Sequence, residues 1–386
     1  MSRTARQKLW LRVHWWLGLF AGFVFVLSGA TGSALVFYQA IDEWLNPERL
    51  TVAGSGPYRS FDEMAAVARA ARQDLIGPDG LLMPLDTRGV VVAEFRSPTD
   101  RPNRIHTIEV TIDPYTATVL SHDRVWGETF VSVLYELHKG WLLEETGETL
   151  VGICGLLLLL SVGTGLYLWW PKAERYRQAI MFKSNGSRIR RSYDLHKLSG
   201  ITGSLALLVL GFTGLYLEFP NYVSALVNVV APVPKEAVLH STVSPGASSI
   251  TIDHAVAVAK ELLPAGELTW IGLPQREDDA VQIGLRQPGE VHRTSGETVV
   301  WIDQYSGVVL GVRDWRLLTS GETFLAWMFP LHNGEAFGLI GRWIVFVTGF
   351  IPFVLYVTAL HMWWSKRLKK KVAQERRPTP ATAAHV

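Results

Sequence analysis

The chain has a single cysteine, Cys154, and it lies inside an apolar run. One cysteine excludes an internal disulfide, a cysteine-ligated iron–sulfur cluster and a CxxCH haem attachment. At that position it reads as a small buried hydrophobe. Charge is also scarce: Asp, Glu, Lys and Arg make up 19% of the 386 residues, and the formal net charge is +2. Such a balance implies no polyanionic partner, nucleic acid included. There is no GxGxxG fingerprint and no P-loop, and no segment on the basic side is long enough for a flavin or nicotinamide domain. No Asp or Glu sits midway along an apolar run. That leaves a proton-coupled transporter, whose usual mark is a buried mid-span carboxylate, as the weaker rival.

What the chain does have is apolar length and tryptophan, 15 residues of it. Four runs, at 15–38, 150–170, 198–219 and 340–364, reach the roughly 20 apolar residues that cross a bilayer. The first follows a basic start but is too long for the apolar core of a signal peptide, so a retained span is expected. Lys and Arg collect in the N-terminal segment 1–14, the short loop 171–197 and the tail 365–386. Both termini are therefore expected in the cytoplasm, and the two long loops, 39–149 and 220–339, outside. Trp pairs at 15–16, 169–170 and 363–364 mark one interface three times.

The two halves match each other. "RVHWWLGLFAGFVFVLSGATGSALVF" aligns with "YDLHKLSGITGSLALLVLGFTGLYLEF", pairing His14 with His196. "ELHKGW" and "PLHNGE" share a Leu-His-x-Gly core followed by further glycines and an apolar run, pairing His138 with His332. "GTGLYLWWPK" aligns with "YVTALHMWWSK", and "EVTIDPYTATVLSHDR" with "VVWIDQYSGVVLGVRD". Each half is span, outward module, span, and the repeats are parallel. The modules open on helix-like "SFDEMAAVARAARQDL" and "TIDHAVAVAKELL", then alternate as strands do in "VVVAEF", "IHTIEVTID" and "TVVWID". The expected fold is an α-helical membrane protein, a four-helix transmembrane bundle carrying two small α+β modules. Glycines 29, 32, 152, 155, 211 and 214 recur at small-xxx-small spacing, suited to close helix packing or to a flat ligand.

Five of the eleven histidines fall at or within spans. His138 and His332 lie at the outer face; His14, His196 and His361 lie at the inner one. A single interfacial histidine is ordinarily a solvated anchor. Two repeat-equivalent pairs are different, because a pseudo-twofold axis turns paired side chains toward each other. Facing imidazoles can fill the axial positions of a b-type haem held without thioether bonds. Zinc would want a compact tetrahedral set instead. The expectation is two haems, the outer one on His138 and His332. The inner one takes two of His196, His14 and His361, the last having Tyr167 in its place in the first half. His106, His122, His254 and His292 fall in polar outward segments and read as surface residues.

The paired LHxG stretches, the spans with His, Gly and Thr-Gly, and the outward modules resemble the PepSY-associated transmembrane family. The resemblance runs from Arg12 to Lys366, and within the family it is most like the FoxB-type siderophore reductases. It implies a di-haem protein of the bacterial inner membrane that reduces ferric siderophores in the periplasm and releases Fe(II). Electrons would come from membrane quinol or a cytoplasmic reductase. The modules are similar to PepSY domains, which implies a second class of function: a regulator of a peptidase, or a transport accessory without redox activity. No chelator pocket is legible, since the modules show no evident aromatic or basic cluster.

Overall fold

The computed structural model describes residues 3–98, 105–235, 238–243 and 246–375. The last part of the basic tail and the side chain of His106 lie outside the described residues. Helix α1 (Arg3–Phe20) breaks at Ala21 and continues, bent by 54°, as α2 (Gly22–Leu35). The break is flanked by Gly18 and Gly22, weak helix formers. Gly22 also has a packing reason: a Cβ there would stand 2.6 Å from the Tyr356 ring.

Short helices α3 (Tyr38–Leu45) and α4 (Pro47–Leu50) lead to α5 (Phe61–Ala71). Strands β1 (Gly80–Leu82), β2 (Val91–Pro98), β3 (Ile105–Asp113) and β4 (Thr118–Val125) follow. The chain then returns through α6 (Phe130–Gly140) into the long helix α7 (Glu144–Trp169). After the small α8 (Tyr176–Ala179), the second half runs through α9 (Arg188–Glu218), α10 (Pro220–Asn228) and α11 (Ile252–Leu262). Its strands are β5 (Glu267–Gly272), β6 (Val281–Arg286), β7 (Thr298–Ile302) and β8 (Val309–Arg313). It closes with α12 (Ser320–Ala326), α13 (Met328–Asn333), α14 (Gly338–Thr348) and α15 (Ile351–Glu375). Pro352 has no N–H to continue the ladder of α14, which ends just before it.

Two findings correct the expected four-helix transmembrane bundle with two separate modules. Three helical stretches, Glu144–Trp169, Arg188–Glu218 and Glu335–Lys369, are long and apolar enough to cross a membrane. The run at 15–38 is the bent α1–α2 pair, a fourth span only if its two pieces are taken together. Nor are the modules separate. All eight strands form one antiparallel sheet in the order β4-β3-β2-β1-β5-β6-β7-β8. The seam is β1 on β5, with Leu81 opposite Ile271, both fully buried. Each half alone would expose an edge strand with unpaired N–H and C=O groups; joining the halves at that edge satisfies both.

One core serves both repeats. Met64, Phe95, Ile112, Ile283 and Ile302 are buried in a single cluster beneath α5 and α11. The two helices also cap each other. The Asp253 carboxylate accepts from the backbone N–H of Phe61 (3.1 Å) and Asp62 (3.3 Å), and Asp62 accepts from Ile252 (3.0 Å) and Asp253 (3.1 Å). A carboxylate at a helix N-terminus meets both its orphan donors and its dipole.

The sheet is tied to α3 by an almost fully buried guanidinium. Arg124 lies 3.0 Å from Glu109 and 2.8 Å from Asp42, with 7% of its side chain exposed. Arg124→Met would leave two buried carboxylates without their cation. It is expected to destabilise the fold by ~3–5 kcal/mol, read as a lowered unfolding midpoint in detergent. A midpoint equal to wild type would show that the pair is not what fastens α3 to the sheet.

Candidate cofactor site: two pairs of facing imidazoles

The helices have a sheet end and a basic end, the latter carrying Arg188, Arg191 and the start of α1. At the basic end, His14 on α1 bonds through Nδ1 to α7, to Thr164 Oγ1 at 3.0 Å and the Ser161 carbonyl at 3.1 Å. His196 on α9 does the same to α15, with Thr358 Oγ1 and the Leu355 carbonyl each at 3.0 Å. The two rings face each other, centres 6.2 Å apart and planes at 87°. At the sheet end, His138 on α6 bonds Thr31 on α2 at 3.0 Å, and His332 on α13 bonds Thr213 on α9 at 2.9 Å. Their ring centres lie 6.1 Å apart.

The threonines fix the tautomer. Each donates its own hydroxyl proton back along its helix: Thr31 to Leu27, Thr164 to Ser161, Thr213 to Val209 and Thr358 to Val354. The oxygen is then an acceptor, so each histidine carries its proton on Nδ1 and leaves Nε2 with a lone pair. That is the metal-binding form, and an Nδ1–H bond to an oxygen is how ligating histidines are oriented. A metal ion between two imidazole nitrogens, ~2 Å from each, sets the ring centres ~6 Å apart. Both pairs have that spacing.

The local sequence explains how the rings are seated. The Leu-His-x-Gly stretches end their helices and turn the chain back into α7 and α14. In the first, Trp141 and Leu142 take up φ of 49° and 61°, the left-handed region. Gly140 and Gly147 then touch backbone to backbone, as Gly334 and Gly341 do in the second half. Each ring-holding threonine but one is followed by glycine, and the space matters. A Cβ on Gly32 would come 2.8 Å from His138 Cε1, and one on Gly165 or Gly214 3.2 Å from the Cε1 of His14 or His332. Ala359 stands in the fourth such place.

Of the five histidines expected as ligands, four form the two pairs. At the basic end the two rings that face each other are those of His14 and His196. His361 is in neither pair; its Nδ1 lies 2.7 Å from Ser192 Oγ. His292 is not a surface residue, because it stacks on Phe329 at 5.2 Å with 14% of its side chain exposed. Burial holds its imidazole below the usual pKa, against the pull of Glu335 and Glu290. Among the described residues no group of three or more His, Cys, Asp or Glu is placed to hold a metal ion, so a tetrahedral zinc site is not built. Two opposed imidazoles instead suit a planar macrocycle that brings its own equatorial nitrogens. The donor set fits haem.

The four threonines carry a Thr-Gly or Thr-Ala step each, but Thr202-Gly203 and Thr348-Gly349 show the same step with no ring to hold, so the step alone does not mark them. Thr213→Val is expected to weaken retention of the metal group at the sheet end by roughly 10–100-fold, read by haem loss to a competing apo-globin. Wild-type retention would mean that Thr213 does not orient His332.

A second unread feature lies above the outer pair. A cavity of about 730 Å³ opens between the sheet and the helices, lined by Tyr216, Trp301, Phe329, Lys235, His292 and Arg313 among others. Tyr216 is one turn from Thr213 on α9, and Phe329 one turn from His332 on α13. Its lining mixes aromatic side chains with Lys235 and Arg313 and with Glu297, Asp314 and Glu322, from segments too far apart in sequence to read as one site.

A helical membrane segment that carries paired, pre-oriented imidazoles at both ends, beneath an eight-stranded sheet, defines a class of membrane proteins built from fused repeats. The chain belongs to the PepSY-associated TM region family, whose profile matches residues 11–366. No curated protein matches it.

Proposed function

We propose that this chain is a di-haem electron-transfer protein of the bacterial inner membrane that reduces ferric siderophores on its sheet side and so releases Fe(II). The observation that carries the reading is the pair of facing imidazoles at each end of the helices, with Nε2 free on all four rings. His14 and His196 would hold the inner haem and His138 and His332 the outer one; when bound, haem supplies reversible one-electron chemistry. The chain's own residues do the remainder. Thr31, Thr164, Thr213 and Thr358 hold each ring in its ligating tautomer. Helix α9 carries His196 near one end and Thr213 near the other; the 17 residues from 196 to 213 span ~25 Å of the ~30 Å apolar layer.

The basic segments support a cytoplasmic position for the His14–His196 end. The cavity above the outer pair offers a chelate aromatic faces together with both basic and acidic side chains, and its size suits a small-molecule ligand. Ferrous iron binds hard oxygen donors less tightly than ferric iron, so one-electron reduction is itself the release step. Electrons would come from quinol or a soluble partner.

The test uses purified protein reduced with dithionite, freed of excess reductant, then mixed with a ferric siderophore and a ferrous-iron indicator. Reoxidation of the protein should match indicator formed. If the reduced protein, haems intact, passes no electron to any ferric siderophore tried, the reductase reading is wrong.

A further inference from the structure

The repeats are equivalent in the histidines and threonines of the imidazole pairs and differ one turn beyond them. In the first half Trp10 on α1 and Tyr167 on α7 close the gap between their helices, ring centres 6.3 Å apart. The equivalent positions in the second half are Ser192 on α9 and His361 on α15. These smaller side chains meet at 2.7 Å and leave a cavity of about 360 Å³ bounded also by Phe182, Arg188, Arg191 and Leu195. Arg191 itself replaces Leu9.

We propose that this cavity binds a lipid-borne hydroquinone, with His361 receiving its hydroxyl protons and Ser192 orienting the His361 ring. The inference rests on the haem reading above and supplies its electron source. Four observations favour that ligand. The position is right: Ser192 is one turn from His196 on α9, and His361 follows Thr358, which holds the His196 ring, by three residues. The mouth is apolar, with Phe182 and Leu195 47% and 43% exposed at the membrane edge, as entry from lipid requires. The volume is at the low end for small-molecule sites, ~300–1,000 Å³, enough for one ring system but cramped for a nucleotide cofactor. The polar end is a histidine bonded to a serine, and an imidazole is the commonest side chain for taking a proton from a bound hydroxyl. A lipid phosphate would use the two arginines but has no proton to give.

Oxidation of one hydroquinone to quinone breaks two O–H bonds and releases two protons and two electrons. The two protons pass one after the other to the His361 imidazole, which hands the first to cytoplasmic water before it takes the second. The electrons leave singly to the group held by His14 and His196, and end on two equivalents of ferric chelate. Arg188 and Arg191 favour the deprotonated hydroxyl.

The experiment uses the full-length haem-loaded protein in lipid nanodiscs, with decyl-ubiquinol as reductant and decyl-ubiquinone binding followed by tryptophan fluorescence. Wild type should bind the quinone and be reduced by the quinol. His361→Leu should slow quinol-driven reduction at least ~10-fold, with the endpoint under dithionite unchanged. The double variant Ser192→Trp, His361→Tyr rebuilds the first half's closed gap and should abolish quinone binding. Its dithionite-reduced form should still pass electrons to ferric chelate. Quinol reduction at the wild-type rate in both variants overturns the proposal. So does quinone binding untouched by the double variant, or displacement from the cavity by phosphatidylglycerol alone. If instead no chelate is reduced by dithionite-reduced wild type while quinone binding behaves as described, the siderophore reading fails and this site stands.

Discussion

Replacing His138 or His332 by alanine is expected to remove one haem of two, so that haem per chain falls by about half while the second haem keeps its spectrum. The size of the effect follows from the site's economy. Each pair has only two imidazoles, each ring is pinned to a different helix, and among the described residues no third histidine ring contacts the outer pair. His292 is bonded to Thr294 at 3.2 Å and stacked on Phe329. A ring whose partner is gone offers one axial ligand, and a six-coordinate low-spin centre needs both. Pyridine haemochrome against protein mass gives the count. Unchanged haem in both variants would make these histidines interfacial anchors.

The second large effect concerns direction. In proteoliposomes with reductant on the basic side and an impermeant ferric chelate on the sheet side, His196→Ala should stop reduction across the bilayer. A haem at the outer pair alone leaves most of the ~30 Å apolar layer uncrossed. His14→Ala should match it. His361→Ala should not lose haem, since its ring bonds Ser192 and stands outside the pair. Haem loss in His361→Ala with retention in His14→Ala would reverse the inner assignment.

Much of this site was legible in the sequence because repeat symmetry doubles each signal. The four paired histidines, their depths and their pairing across halves all follow from aligning the chain with itself. At the inner end repeat symmetry favours His14 with His196 but leaves His361 as a rival, and the register of α15 on α9 decides which rings face each other. Thr358 meets His196, which turns His361 toward Ser192 instead. The threonines carry no signal singly, because Thr bonding its own helix is common in apolar helices. The fold misled where local pattern was silent. Strand β1 is three residues long, too short to show alternation, yet it joins the two modules into one sheet. The bend at Ala21 involves no proline, so the first apolar run reads as an unbroken span.

The most direct measurement is the visible spectrum and haem content of wild-type protein purified from haem-replete cells. The account predicts about two b-type haems per chain, low-spin and six-coordinate, the colour extracted by acidic acetone because no cysteine can hold it covalently. A colourless, folded preparation would contradict it, and would leave the PepSY-type regulator as the reading to pursue.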